Sequence, residues 1–246
     1  MADVVSVTGF ILSSMPVGDY DRRVVILSRE LGKIAAFAKG ARRPNSHLIG
    51  VTRPFIFGTF EVYRGRDSYT IQKANVTNYF EELVSDLDGV LYGYYFAELA
   101  EYYGRENLDA ADMINLLYVA FKALVNKSLP NDLVRYIYEI RLIAVNGECP
   151  DFFSCAGCGS EKELQLYSYK ENGMYCVECA ASSGDGIVLQ SSTLYTLQYI
   201  ITAPLTKLFN FVVKADVLNE LKKVVNRIEF ITFDKHFKSK EMLDIG

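Results

Sequence analysis

The chain has no tryptophan, two histidines, and no apolar run of the roughly eighteen residues that a membrane-crossing helix needs. The missing tryptophan excludes nothing. With only His47 and His236 present, a Ser-His-Asp or Cys-His catalytic group has few ways to form. HExxH and a glycine-rich phosphate loop are absent as well. Isolated carboxylates such as Glu98 and Glu101 fall on a helical pattern, where solvation or capping accounts for them. Catalysis finds little support, and the chain reads as a non-enzyme. No basic leader follows Met1-Ala2-Asp3, and there are no repeats or low-complexity stretches, so a cytoplasmic protein without membrane contact is expected. The 50% hydrophobic composition argues against disorder, and 246 residues leave room for two domains.

A net charge of −4 hides an uneven distribution. Residues 1–80 hold 11 Lys+Arg against 6 Asp+Glu, a balance of +5, whereas residues 81–148 hold 5 against 12, a balance of −7. Residues 149–246 are close to neutral, with 10 against 12. A basic head on an acidic body suggests that the head meets a polyanion and the body meets something else.

The head reads as all-β. Val4–Leu12, Arg22–Ser28, Lys33–Ala38, Pro54–Tyr63 and Ser68–Val76 are short runs rich in Val, Ile, Phe, Tyr and Thr. Turn signals separate them at Pro16-Val17-Gly18-Asp19, Arg29-Glu30-Leu31-Gly32 and Arg64-Gly65-Arg66-Asp67, with a longer link over 39–53. Within the fourth run, Phe55, Phe57, Thr59, Glu61 and Tyr63 alternate with Ile56, Gly58, Phe60 and Val62, the period of a strand. Five short strands suit a small closed barrel, of which the OB-fold is the commonest. An SH3-like barrel fits the pattern almost as well.

Basic residues cluster on this head. Arg22 and Arg23 open the second strand, and Lys39, Arg42 and Arg43 lie in the loop Lys39-Gly40-Ala41-Arg42-Arg43-Pro44. Arg64 and Arg66 flank a hairpin tip, and Arg53 and Lys73 lie on neighbouring strands. Phe37, Phe55, Tyr63 and Tyr69 are interleaved with them. Single-stranded nucleic acid is held this way, with cations along the phosphates and rings under the bases. The plainer alternative is a solvated surface over an aromatic core.

The body reads as helical. Met113, Leu116, Leu117, Ala120, Phe121 and Leu124 follow the i, i+3, i+4 spacing, as do Val134, Ile137, Tyr138, Leu142 and Val145, with Arg141 interrupting. Leu87, Leu91, Tyr94, Tyr95, Leu99 and Tyr102 mark an earlier helix, and Val217, Leu218, Leu221, Val224, Val225 and Ile228 a late one. Asp109 and Asn131 stand where N-caps are expected. Tyrosines of the stretch 92–95 are candidates for a surface groove.

The most specific signal is a pair of CxxC knuckles, Cys155-Ala-Gly-Cys158 and Cys176-Val-Glu-Cys179, with seventeen residues between them. Each knuckle folds two thiolates onto one side of a tight turn, and two such turns supply the four tetrahedral sulfur ligands that zinc prefers. Gly157 and Gly159 ease the first turn. Asn172-Gly173 signals a two-residue hairpin, and together they suggest a short β-ribbon with a knuckle at each end. Disulfides, a redox dithiol or four unrelated cysteines are the alternatives. No secretory leader favours disulfides, and a redox CxxC usually stands alone at a helix mouth. Cys149 reads as a buried thiol outside the set. One structural zinc ion per chain is expected, in a closed site without an open coordination position. The ribbon would interrupt a helical bundle, with three helices before it and about two after.

As a set, these residues resemble a known family. Gly18-Asp19-Tyr20-Asp21-Arg22 precedes the second strand, followed by Arg29-Glu30-Leu31-Gly32-Lys33, Lys39-Gly40-Ala41-Arg42-Arg43 with Ser46, and Pro54-Phe55. Arg141-Leu142, Pro150-Asp151-Phe152 and Cys155-x-x-Cys158-Gly159 follow in the body. The combination is similar to the bacterial recombination mediators of the RecO family, over nearly the whole chain. The resemblance implies an α+β, multidomain fold: an OB-fold over 1–80 that binds nucleic acid, then a helical domain over 81–246 with a zinc-binding insertion at about 149–188. It implies binding of single-stranded and also double-stranded DNA, annealing of complementary strands, and partnership with RecR. It further implies contact with the single-stranded-DNA-binding protein, indirect action on RecA by helping to load it, and a nucleoid-associated, non-enzymatic role in repair. Residue by residue, it places Lys39, Arg42 and Arg43 on the DNA-binding barrel and Cys155, Cys158, Cys176 and Cys179 on zinc. Cys149 and the acidic body depart from the family pattern. From another class, a zinc-ribbon adaptor whose basic barrel binds an acidic partner fits the same surface.

Overall fold

Alternation of apolar and polar residues gives the first strands one face to bury. In the computed structural model, which describes residues 4–66, 68–182 and 185–245, strands β1 (Val4–Val17), β2 (Asp21–Ser28), β3 (Gly32–Ala38), β4 (Phe57–Arg64) and β5 (Tyr69–Asn78) close into a barrel of order β1-β2-β3-β5-β4. Asp67 of the expected hairpin tip lies outside the described residues, as do 183–184 of the expected insertion. The closure is an OB-fold. β1 is long enough to pair with β4 through its first half and with β2 through its second, and a bulge between Ile11 and Ser13 bends it between the two. A short parallel contact of β3 with β5 shuts the barrel. Val7, Ile11, Val24, Ile26, Ile34, Ala36, Phe60 and Val62 fill its interior, as period-two patterning demands. Ala41, Leu48 and Ile56 of the β3–β4 link are buried in the same core.

Two sequence expectations shift here. The fourth strand starts at Phe57 rather than Pro54, because Phe55 takes a positive φ of 73°. Its N–H donates to the Ile11 carbonyl at 2.9 Å, and Ile56 accepts from the Ile11 N–H, so the segment pairs irregularly before the regular ladder begins. Phe55 and Tyr69, grouped above with the surface cations, are buried at 1% and 4% exposure and belong to the core.

Helices follow: α1 (Glu81–Ser85), α2 (Gly89–Tyr103), α3 (Ala111–Asn126) and α4 (Asn131–Val145). Asp109 accepts from the Ala111 N–H at 2.8 Å, a capping contact for α3. For α4 the expected cap moves by one residue. Pro130, with φ −57° and ψ 137°, holds the cap position, and Asn131 is the first helical residue. The ribbon then comprises β6 (Leu164–Ser168), β7 (Gly173–Cys176), α5 (Val177–Ala180) and the two-residue β8 (Ile187–Val188), in sheet order β7-β6-β8. Helices α6 (Ser191–Thr202), α7 (Leu205–Leu208), α8 (Ala215–Thr232) and α9 (Lys238–Ile245) complete the chain. Apart from the short α1, α5 and α7, three helices precede the ribbon and three, α6, α8 and α9, follow it among the described residues, one more than the sequence pattern suggested.

The chain up to Asn126 and the chain from Phe237 onward make one compact unit, and Lys127–His236 make the other. In the first, the outer side of the barrel meets α1–α3 through an aromatic cluster. The Phe10 ring lies 4.9 Å from Phe57, 5.9 Å from Phe80 and 5.4 Å from Phe121. In the second, α4, α6 and α8 share a core of Ile137, Leu142, Leu197, Ile200, Leu221 and Val225. Arg141, which interrupts the stripe of α4, donates to the Ile200 carbonyl at 3.2 Å, tying α4 to α6.

Candidate nucleic-acid interface and metal centre

The register of the barrel sets its outer surface. Arg23 pairs with Phe37, Phe37 with Thr70, and Thr70 with Tyr63, so these side chains form one row across β2, β3, β5 and β4. Arg23 is exposed, while Phe37 and Tyr63 are half-buried, which leaves two rings and a cation along one row. Arg23 also lies across from Met15 of β1.

The loop leaving β3 is held against the turn between β1 and β2. The Gly40 N–H donates to the Asp21 carboxylate at 2.7 Å, and the Arg42 N–H donates to the Tyr20 carbonyl at 2.8 Å. The Arg42 guanidinium donates to the Gly18 carbonyl at 3.1 Å, and that of Arg43 lies 5.1 Å from the centre of the half-exposed Tyr20 ring. Arg42 and Arg43 are thus held beside this turn, and both, with the neighbouring Lys39, are exposed, with no ion pair to any carboxylate among the described residues. Arg53, Arg64, Arg66 and Lys73 are exposed too, but on other parts of the barrel. Lys73 faces Glu61 across the β4–β5 ladder at 3.8 Å, which partly offsets its charge. Sequence reasoning quoted Tyr20 without assigning it a part. Its position beside Arg43 depends on a turn and a loop that sequence spacing does not relate.

The ribbon is built from local turns. Asp151 accepts from the Phe153 N–H at 2.7 Å and from the Ser154 hydroxyl, which holds its carboxyl below the usual carboxylate range. Phe152 between them is fully buried and stacks on Tyr167 at 5.8 Å. The first knuckle leaves this anchor. Gly159 has φ +74°, the left-handed conformation that glycine tolerates, and its N–H donates to the Cys155 carbonyl at 2.8 Å. Gly157 serves differently from the sequence expectation. Its φ is not positive, but a Cβ there would stand 3.0 Å from the Tyr175 ring and 3.1 Å from the Cys179 sulfur. The Asn172-Gly173 turn also differs. Ser168 pairs with Gly173, so four residues connect the strands, and Asn172 alone takes a positive φ, of 48°.

Cys176 ends β7 and begins α5, and Cys179 lies within α5. The four sulfurs of Cys155, Cys158, Cys176 and Cys179 lie within 4.8 Å of one another. Cys158 and Cys176 are 3.7 Å apart, close to the ~3.8 Å edge of a tetrahedron with metal–sulfur bonds of about 2.3 Å. Burial raises the Cys155 thiol, but the N–H groups of Cys176, Cys158 and Gly157 around its sulfur outweigh this and bring it down to about 6. Such donors favour a thiolate at Cys155, the form that ligates metal, whereas the adjacent cysteine sulfurs push the Cys179 thiol up to about 12. Cys149 is half-buried outside the set, and burial pushes its thiol up to about 12. The donor set, closed and all-sulfur, fits a structural metal ion.

A closed OB-fold with a ring-and-cation row, followed by helices that carry a four-cysteine ribbon, defines a two-unit protein of the OB-fold class with a metal-compatible ribbon. The family model described as "Recombination protein O N terminal" matches residues 1–80, and "Recombination protein O C terminal" matches residues 84–241. The DNA repair protein RecO of Acetivibrio thermocellus is 30% identical over 241 residues, covering 96% of this chain and 94% of that protein. DNA repair protein RecO of Oceanobacillus iheyensis is 29% identical over 245 residues (97% and 92% covered), and that of Bacillus subtilis 27% over 236 (96% and 92%). The chain belongs to the RecO family of DNA repair proteins. No helix among the described residues is long and apolar enough to cross a membrane.

Proposed function

We propose that this protein is a recombination mediator that binds single-stranded DNA on its barrel and anneals complementary strands. With RecR, it helps load RecA onto DNA covered by the single-stranded-DNA-binding protein. In this reading residues 1–80 are the nucleic-acid-binding domain, and 81–246 the helical domain with its zinc-binding insertion at about 149–188. The protein acts in the cytoplasm on the nucleoid and binds duplex DNA as well. The observation that carries the reading is the clamped cluster of Lys39, Arg42 and Arg43, free of carboxylate partners, at the barrel end that also bears Arg22 and Arg23. Arg53, Arg64, Arg66 and Lys73 extend the contact around the barrel.

The physical mechanism is charge neutralisation with the bases left accessible. Two strands meet against phosphate repulsion, and fixed cations along an open surface lower that repulsion while Watson–Crick edges stay free to pair. An open row serves this better than a deep pocket that hides the bases. No residue is assigned a catalytic step. Cys155, Cys158, Cys176 and Cys179 would hold one zinc ion, which would supply a crosslink for the ribbon and no reaction.

The test is a fluorescence titration with labelled single-stranded DNA at two salt concentrations, on protein of measured zinc content. Tight, steeply salt-dependent binding with about one zinc per chain supports the reading. Absence of binding at low salt with zinc present overturns it and transfers the weight to an adaptor that takes an acidic protein.

A further inference from the structure

Exposed apolar side chains scattered singly over a surface need no explanation, but several converging on one groove do. In the first unit, a groove of about 640 Å³ is lined by Met15, Tyr79, Val84 and Tyr94, together with Arg22, Arg53 and Glu81. Met15 is 57% exposed, Val84 50%, Tyr94 46% and Tyr79 42%. The Tyr94 ring rests against the buried Phe55 ring at 4.8 Å, which fixes it as one wall. The backbone on both sides is unusual: Phe55 has φ 73°, and Phe80, beside Tyr79, has φ 48°. Non-glycine residues at positive φ concentrate at binding sites, where the surrounding structure holds them.

The polar groups select the occupant. Arg22 donates through Nη1 to the Ser14 hydroxyl at 3.2 Å, while its Nε–H is buried without a partner. The guanidinium is thus left with an unsatisfied donor, which adds to its demand for an acceptor. Arg53, exposed at the groove, makes no ion pair among the described residues. Arg23 lies beside the groove by its register opposite Met15. Two arginines with tyrosine and methionine walls suit a ligand that is anionic at one end and flat and apolar at the other. Glu81 orients it. Its carboxylate repels a phosphate but accepts from the amino groups of a base, so the base edge points toward Glu81 and the phosphates toward the arginines.

We propose that this groove takes one unstacked nucleotide of the bound single strand, with its base against Tyr79 and Tyr94 and its phosphates on Arg22 and Arg53. The proposal rests on the single-stranded-DNA reading and names where the strand goes beyond the Lys39–Arg43 loop. Arg22 pairs with Ala38, the residue before Lys39, so the groove begins next to that loop.

The experiment is photocrosslinking of the whole protein to an oligonucleotide with a single 5-iododeoxyuridine, the attachment site being mapped by mass spectrometry. Crosslinks at Tyr79, Tyr94 or Met15 are expected. In parallel, Val84→Glu, at an exposed wall position, should weaken single-strand binding by about tenfold, the scale of one lost base stack, with unchanged Tm. Leu87→Glu, at an exposed position outside the groove lining, should leave affinity within about twofold of wild type. If wild type binds DNA but crosslinks map only to the 39–43 loop and Val84→Glu binds normally, the groove assignment is overturned and the mediator reading stands. A wild type that binds no single-stranded DNA overturns both.

Discussion

The guanidinium of Arg43 lies 5.1 Å from the centre of the Tyr20 ring. Together with the Arg42 N–H donated to the Tyr20 carbonyl at 2.8 Å, this contact joins the loop after β3 to the turn before β2. A loop held this way presents its charges without first having to be ordered by the ligand, so less conformational entropy is lost on binding.

Replacing Arg42 and Arg43 together by alanine should weaken binding of single-stranded DNA for every sequence alike. The slope of log K against log salt should flatten by about 1.4, two phosphate contacts' worth. Fluorescence titration at several salt concentrations measures both, and an unchanged slope would sink the assignment of this loop.

Changing Cys155 or Cys176 to serine should remove the metal and unfold the ribbon while leaving the barrel folded. The lost contribution is on the order of 10 kcal/mol locally. Metal analysis and limited proteolysis report this directly; a serine variant that keeps full metal content and protease resistance contradicts the ligand set.

Gly157→Ala probes the same centre without touching a ligand. The added methyl would crowd the Cys179 sulfur at 3.1 Å and the Tyr175 ring at 3.0 Å. Metal affinity should fall by about tenfold or more, as for changes that displace a ligand from its bearing. Competition with a chromophoric chelator gives the number, and an affinity equal to wild type refutes the argument.

A pH dependence follows from the helical unit. Glu139 of α4 is fully buried, its Oε1 accepts from the Arg135 Nε–H at 2.8 Å, and the Glu229 carboxyl of α8 is a hydrogen-bond neighbour with which it can share a proton. Burial first, then the neighbouring Glu229 of α8, pushes the Glu139 carboxyl well above the ordinary range, against the opposing pull of Arg135. The folded state therefore holds a proton that the unfolded chain releases above about pH 4.3. This stabilising contribution is complete below that pH and is lost as pH rises toward the folded pKa. Asp132, on α4, and Tyr136 lie in the same surroundings, and burial raises Tyr136 to about 12. Glu139→Gln, which keeps an acceptor for Arg135 and a donor for Glu229, should raise Tm at pH 8 by about 2–4 °C per kcal/mol of strain removed. It should also flatten the pH profile. Arg135→Ala should destabilise by about 3–5 kcal/mol, since it leaves buried carboxyls uncompensated. A Glu139→Gln profile parallel to wild type disproves the shared proton.

Strands and the four-cysteine cluster were legible where chemistry is local. The period of two marked the barrel strands to within a few residues, and the CxxC spacing placed the four sulfurs that the fold brings together. What depends on distant segments was not legible. Phe55 continues the alternation in sequence yet leaves the ladder, because its partner is Ile11, forty-four positions earlier. Helix α6 was not singled out, since its buried Thr193 and Thr196 break the apolar stripe. Arg135 and Glu139 look like an ordinary exposed i, i+4 pair, and it is the tertiary packing around α4 that buries them. The groove draws on five separate stretches between Leu12 and Tyr94, so no window of sequence contains it.

Helix α9 belongs to the first unit although the second lies between them in sequence. Phe237 is buried against the Tyr95 and Tyr102 rings at 6.1 and 5.5 Å, and Ser239 donates its N–H to Glu98 at 3.1 Å. A ribosome has therefore emitted the whole second unit before this partner of α2 exists. Until α9 has been made, the nascent barrel unit leaves the Tyr95 and Tyr102 rings without the cover that Phe237 provides.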